Sequence, residues 1–327
     1  MPSERDSATA AVARRLAMEG DALWAAGDPG STSVLMRAIA RFEALEEPGN
    51  EEVVDFARTL NSLANVRFET GGVSAALDLI GRALELYEGL RPPAHRGHLE
   101  AVIDQARFVA VSNATRALKI LDSALVAAER ELGGDDLLEI CAIIMTNRSN
   151  VLSSLGRLDD ALADLHRASE LDQSRGTPSL EVKLNIANRL ADAGNPEAAL
   201  GTVAPLLEES IRANLEDGTP VRALALFNAS TYLDAMGRLD EARQCLEAAI
   251  DVLRHAGRSG RDHVEVKSTL AAAYYNLSVT HAQFGDLSAA RAAARRSLDV
   301  YRELAAVSPE QFGADEREGA KLLDSLG

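Results

Sequence analysis

The chain is poor in several residue types at once. Its 327 residues include two cysteines, one tryptophan and only four lysines (Lys119, Lys183, Lys267 and Lys321), and aromatics make up 4%. Cys141 and Cys245 are distant in sequence, with no Cys-x-x-Cys and no neighbouring His. That argues against zinc or dithiol chemistry and leaves both as small core residues. The rings are too few for a base-stacking platform. With 34 basic against 50 acidic residues the net charge is −16, so nucleic acid and anionic membranes are expected to be repelled. No apolar run approaches the roughly 18 residues of a membrane span. The first twenty residues scatter Glu4, Arg5, Asp6, Arg14 and Arg15 among alanines, unlike a secretory signal. The expected location is the cytoplasm.

Catalytic motifs are missing as well. There is no Gly-Lys-Ser/Thr, His-Glu-x-x-His or Gly-x-Ser-x-Gly, and no Gly-x-Gly-x-x-Gly after a strand. His95 and His98 stand three apart near Pro92-Pro93, which reads as a solvated inter-repeat loop rather than a metal pair. Glu46-Glu47 and Asp135-Asp136 read as solvated loops too. The expectation is a protein without catalytic residues, metal or cofactor.

What the chain does have is Ala, Leu, Arg and Glu recurring at spacings of three and four, the signature of helix throughout. Aligning the turns exposes a repeat. Gly71 precedes Ala76 and Ala83, Gly156 precedes Ala161 and Ala168, Gly237 precedes Ala242 and Ala249, and Gly285 precedes Ala290, always with the same offset. Gly194 before Ala199 repeats it, and Ala117 with Ala124 follows a degenerate turn at Ser112-Asn113. Each copy predicts a helical hairpin in which Gly ends the first helix, an acidic or Pro-containing turn starts the second, and alanine permits close approach. One hairpin cannot bury its own face, so stacked neighbours must supply the core. Thr177 before Pro178 and Thr219 before Pro220 are the expected caps of two first helices.

Leu60, Leu63, Ala64, Ala76, Ile80 and Ala83 form a pattern that resembles the tetratricopeptide repeat. So do Leu226, Ala229, Ser230, Ala242, Leu246 and Ala249, and so do Tyr274, Leu277, Ser278, Ala290 and Ser297. The usual aromatic landmarks are mostly aliphatic here, the closing Pro is missing, and the period is longer than usual, as in kinesin light chains and bacterial regulatory members of the family. The resemblance implies an all-α, right-handed superhelical solenoid of about seven hairpins plus a C-terminal capping helix. Its expected parts are a degenerate hairpin over 1–48, six repeats over 49–305 and the cap over 306–327, in one continuous array. The preference for Arg over Lys points to a GC-rich bacterial source.

The resemblance also implies a concave groove lined by first helices, and with it a set of candidates. Asn61 and Asn65, Asn147 and Asn150, and Asn185 and Asn188 are pairs sharing a helix face, continued by Asn228 and Asn276. An amide can donate and accept, matching an extended peptide backbone, which would meet first helices about 10 Å apart about every three residues. It can equally bond a neighbouring repeat or water. Arg58, Phe68, Phe227 and Tyr275 complete the set. Arg58 suits a ligand carboxylate or an intrahelical pair with Glu52 or Asp55, and the rings suit either a partner or helix packing. Arg107 joins them only if the turn after its helix has lost a residue. The expected function is a protein- or peptide-binding adaptor. The alternatives are a self-assembling structural protein, compatible with a homo-oligomer, and a sensor module whose catalytic domain lies on another chain.

Overall fold

The computed structural model describes residues 4–91, 94–177, 179–212, 220–258 and 264–327, and among these every regular element is an α-helix. Successive helices pair antiparallel. The hairpins are α1 (Glu4–Ala25) with α2 (Ser31–Glu43), α3 (Asn50–Glu69) with α4 (Val73–Gly89), α5 (His95–Ala110) with α6 (Ala114–Glu131), and α7 (Gly134–Ser154) with α8 (Leu158–Ser174). They continue as α9 (Leu180–Asp192) with α10 (Pro196–Arg212), α11 (Pro220–Ala235) with α12 (Leu239–Arg258), and α13 (Val264–Gln283) with α14 (Leu287–Val307), followed by α15 (Pro309–Ser325). The architecture is thus an all-α helical-repeat solenoid. It divides into two compact units, Met1–Pro178 and Ser179–Gly327.

The glycine-to-alanine offset is explained by one recurring turn. Gly71, Gly156, Gly194, Gly237 and Gly285 all have φ between 72° and 86°, a left-handed conformation that glycine adopts without a Cβ penalty. In each case the next residue's N–H reaches back five positions: Gly72 to Arg67, Arg157 to Leu152, Asn195 to Leu190, Arg238 to Leu233 and Asp286 to His281, at 2.7–3.0 Å. This Schellman closure satisfies orphan carbonyls of the first helix. The degenerate turn at Ser112-Asn113 closes without glycine, through Asn113 N–H to the Val109 carbonyl at 2.8 Å, and the Asn113 side chain caps α6 by accepting from Arg116 N. Five residues past each glycine, Ala76, Ala161, Ala199, Ala242 and Ala290 are at most 1% exposed, and Ala117 is equally buried.

Several local expectations change. Ser179, not Thr177, caps α9, its Oγ accepting from Val182 N at 3.2 Å. Pro178, Pro92-Pro93 and Gly218-Thr219 lie outside the described residues. His95 and His98 belong to the first turn of α5 rather than a loop; His95 Nδ1 lies 2.8 Å from Glu131 Oε2, and His98 meets the Tyr87 ring edge-on. Asp135 and Asp136 occupy the first turn of α7, where carboxylates complement the helix dipole, and Asp136 pairs with Arg96. Cys141 is buried and Cys245 half-buried, and burial raises both thiols above their ordinary range.

Candidate partner-binding surface

Within each unit the first helices of successive hairpins touch: α1 with α3, α3 with α5 and α5 with α7 in one, α9 with α11 and α11 with α13 in the other. The second helices make no comparable contact with one another among the described residues. Helices that meet on one side and separate on the other curve a stack toward the side where they meet. In each unit, therefore, the first helices form the inner side. The candidate residues all lie on these helices.

In the first unit most of them are already engaged. Asn65 donates through Nδ2 to Asp104 Oδ2 at 2.9 Å and accepts from Arg107 Nη2, which also donates to Asp104 Oδ1 at 3.0 Å. The Arg107 guanidinium lies 5.2 Å from the Phe68 ring centre and 5.4 Å from that of Phe108, and these rings stack at 4.6 Å. Asn65, Phe68, Asp104, Arg107 and Phe108 thus form one charge-assisted, cation–π joint between α3 and α5. Arg58 is mostly exposed, stands 4.0 Å from Asp55 one turn back, and faces the hydroxyl of Tyr87. Burial is the main cause that pushes Tyr87 up to about 12. Asn61 Oδ1 is buried and has no hydrogen-bond partner among the described residues. On α7, Asn147 donates to its own helix at the Ile143 carbonyl (3.0 Å). Asn150, one residue beyond fully buried Ser149, is exposed and makes no hydrogen bond among the described residues.

The second unit shows the same sorting. Asn188 Oδ1 accepts from the Tyr232 hydroxyl at 2.6 Å, joining α9 to α11. Tyr232 is 3% exposed and burial raises its hydroxyl pKa. Phe227 packs against Leu246, Ile250, Ala273 and Tyr274, and Asn228 is buried beside it on α11. Asn185 on α9 and Tyr275 with Asn276 on α13 are half-buried, and their side chains have no hydrogen bond among the described residues. Asn150, Asn185, Tyr275 and Asn276 therefore keep polar atoms available on inner helices, whereas Asn65, Asn188, Phe68 and Phe227 bind repeats together. Sequence reasoning missed Asp104 and Tyr232. The available signal was periodic: Tyr232 lies 44 residues after Asn188, one repeat along.

Residues 223–252, within α11–α12, and 270–306, within α13–α14, match tetratricopeptide-repeat family models. The chain carries tetratricopeptide repeats. Among solved structures it is similar to the apo form of the quorum sensor NprR from B. thuringiensis, with a TM-score of 0.62 and 16% identity over 83% of this chain and 70% of that one. It is also similar to a Rap protein complexed with competence and sporulation factor, with a TM-score of 0.59 and 14% identity over 99% of this chain and 88% of that one. The apo form of RapI gives 0.61 at 14% identity, over 89% and 98% respectively. At such identities the likeness concerns the fold. No curated protein matches the chain in sequence.

Proposed function

We propose that this protein is a non-catalytic tetratricopeptide adaptor that binds an extended peptide, or an extended segment of another protein, along its inner helices. The observation that carries the reading is the set of unengaged amides, Asn185 and Asn276 in the second unit and Asn150 in the first. They stand where a backbone running across the first helices would need both donors and acceptors. Similarity to a quorum sensor and to a Rap protein solved with its factor supports the same direction. Arg58, Asn61, Asn147 and Tyr275 belong to the proposed surface as flanking contacts, Asn228 is buried beneath it, and Asn65, Asn188, Phe68 and Phe227 serve it by holding the helices in place. The reading includes the division into 1–48, 49–305 and 306–327, a cytoplasmic location and no nucleic-acid partner; among the described residues no helix is long and apolar enough to cross a membrane.

Peptides selected from a random displayed library against the whole chain, then measured by fluorescence anisotropy, test the proposal. Replacing Asn185 and Asn276 by Ala removes two groups worth about 0.5–1.5 kcal/mol each and should weaken binding roughly five- to a hundredfold with unfolding unchanged. Undiminished affinity in that folded double variant would overturn the assignment of these amides.

A further inference from the structure

The first helices share a register. Ala64, Ser149, Ala187, Ser230 and Ser278, each at most 2% exposed, mark the same small packing position on α3, α7, α9, α11 and α13. Measured from that position, the inner face changes character along the chain. Six residues before it, the charged Arg58 of α3 and Glu181 of α9 give way to Leu224 on α11 and Ala272 on α13. Three before it, Phe227 and Tyr275 supply rings where α3 has Asn61 and α7 has Thr146. One after it, Thr231 and Val279 stand in place of Asn65, Asn150 and Asn188. Leu224, Phe227, Ala272, Tyr275 and Val279 are half-buried and Thr231 is exposed, so they form an open stripe at three- and four-residue spacing on each helix. The open stripe of a packed helix is normally its charged one. Here, in a chain that is 26% charged, no charged residue occurs from Leu224 to Thr231 or from Ala272 to Val279, and charge returns with exposed Asp234 in the last turn of α11.

We propose that the peptide segment held by the second unit is uncharged and apolar, and that Leu224, Phe227, Thr231, Ala272, Tyr275 and Val279 select it. This selectivity rests on the peptide-binding role of the inner helices and deepens it by stating which peptides the surface takes. The unengaged amides of Asn185 on α9 and Asn276 on α13 stand on helices that flank α11 and both touch it. Neighbouring first helices lie about 10 Å apart, so the two amides are separated by roughly 20 Å, which an extended chain covers in about six residues. The middle of that stretch crosses α11, where its side chains meet Leu224, Phe227 and Thr231. An apolar side chain there takes half-open Leu and Phe surface out of water. A Lys or Glu would lose hydration and find no opposite charge along either stripe. The amides hold the backbone without reading its sequence, and the uncharged stripes between them supply the discrimination.

Random displayed peptides of about ten residues, long enough to span the two amides, are selected against the whole chain. A recovered peptide is then measured by fluorescence anisotropy as it stands and with one apolar central residue replaced by Glu or by Lys. The uncharged form should bind at least about tenfold more tightly than either charged form. Thr231→Lys, at an exposed position, should leave the unfolding midpoint unchanged, weaken the uncharged peptide and tighten the Glu form by about tenfold. Recovered peptides charged at their centres as often as the library, equal affinity for the three forms, or a Thr231→Lys variant that binds all three as the parent does would each overturn the selectivity. If replacing Asn185 and Asn276 by Ala still weakens binding in that case, the peptide-binding surface itself stands. Recovery of no peptide, or affinity unmoved by the amide replacements, overturns the surface and the selectivity with it.

Discussion

The two units share one turn and one alanine contact but are held together by different chemistry. In the first, arginines do much of the joining: Arg14 with Glu52 and Asp55, Arg96 with Glu139, and Arg107 with Asn65 link successive hairpins, and Arg148 ties α7 to α8 through Asp164 and to α6 through Asp122. In the second, hydroxyls do much of the joining. Ser278 Oγ donates to the Ala290 carbonyl (2.8 Å), Ser297 Oγ to that of Ala271 (2.9 Å), and Tyr232 to Asn188. Both matched family segments fall in the hydroxyl-joined unit. A repeat geometry set by glycine turns and alanine contacts therefore tolerates a change in its polar joints, even where the sequence no longer matches a family model.

The sharpest way to break the comparison is Arg148→Ala. Arg148 makes two 2.6 Å bonds to Asp164, which is 7% exposed. Removing the cation strands a buried carboxylate, and a loss of about 3 kcal/mol in urea unfolding is expected. Ser278→Ala, the matching deletion in the second unit, should cost only about 0.5–1.5 kcal/mol, since a neutral bond is lost and no charge is stranded. Equal costs would abolish the distinction.

Alanine packing should instead show no such difference. Ala161→Leu and Ala242→Leu overfill the same hairpin contact, and each should cost about 1–3 kcal/mol. An unchanged melting temperature for either would mean that the contact is looser than its burial indicates.

A smaller effect is expected of Tyr232→Phe, about 0.5–1.5 kcal/mol by thermal unfolding, through loss of the bond to Asn188. Affinity for a selected peptide should persist in the folded fraction, because that amide serves the joint rather than the ligand.

The smallest concerns pH. Burial raises the Asp172 carboxyl above its ordinary value, outweighing the opposing influence of Arg175 at 3.6 Å. A raised folded pKa means that folding favours the protonated acid, so the stabilising contribution is complete below the unfolded pKa and is lost as pH rises through the folded one. Asp172→Asn should therefore gain stability relative to the parent as pH rises through that window and approach it as pH falls. Measuring both proteins across mildly acidic pH checks the sign.

The sequence by itself determined the helices, the hairpins and their approximate number. Those follow from short-range rules that a linear pattern displays: a left-handed glycine closing one helix, a small residue five positions later, and apolar spacing of three and four. It also placed the asparagines on first helices. Only the tertiary structure decided which of them are available. Asn65 and Asn188 look identical to Asn150 in register, yet the first two are claimed by Arg107, Asp104 and Tyr232 from the next first helix, and the third is not. The start of α9 and the helical placing of His95 also emerged only in three dimensions, where Ser179 and Glu131 supply the partners. Side-chain pairing depends on what a neighbouring repeat presents some forty residues away, and no local spacing rule contains that information.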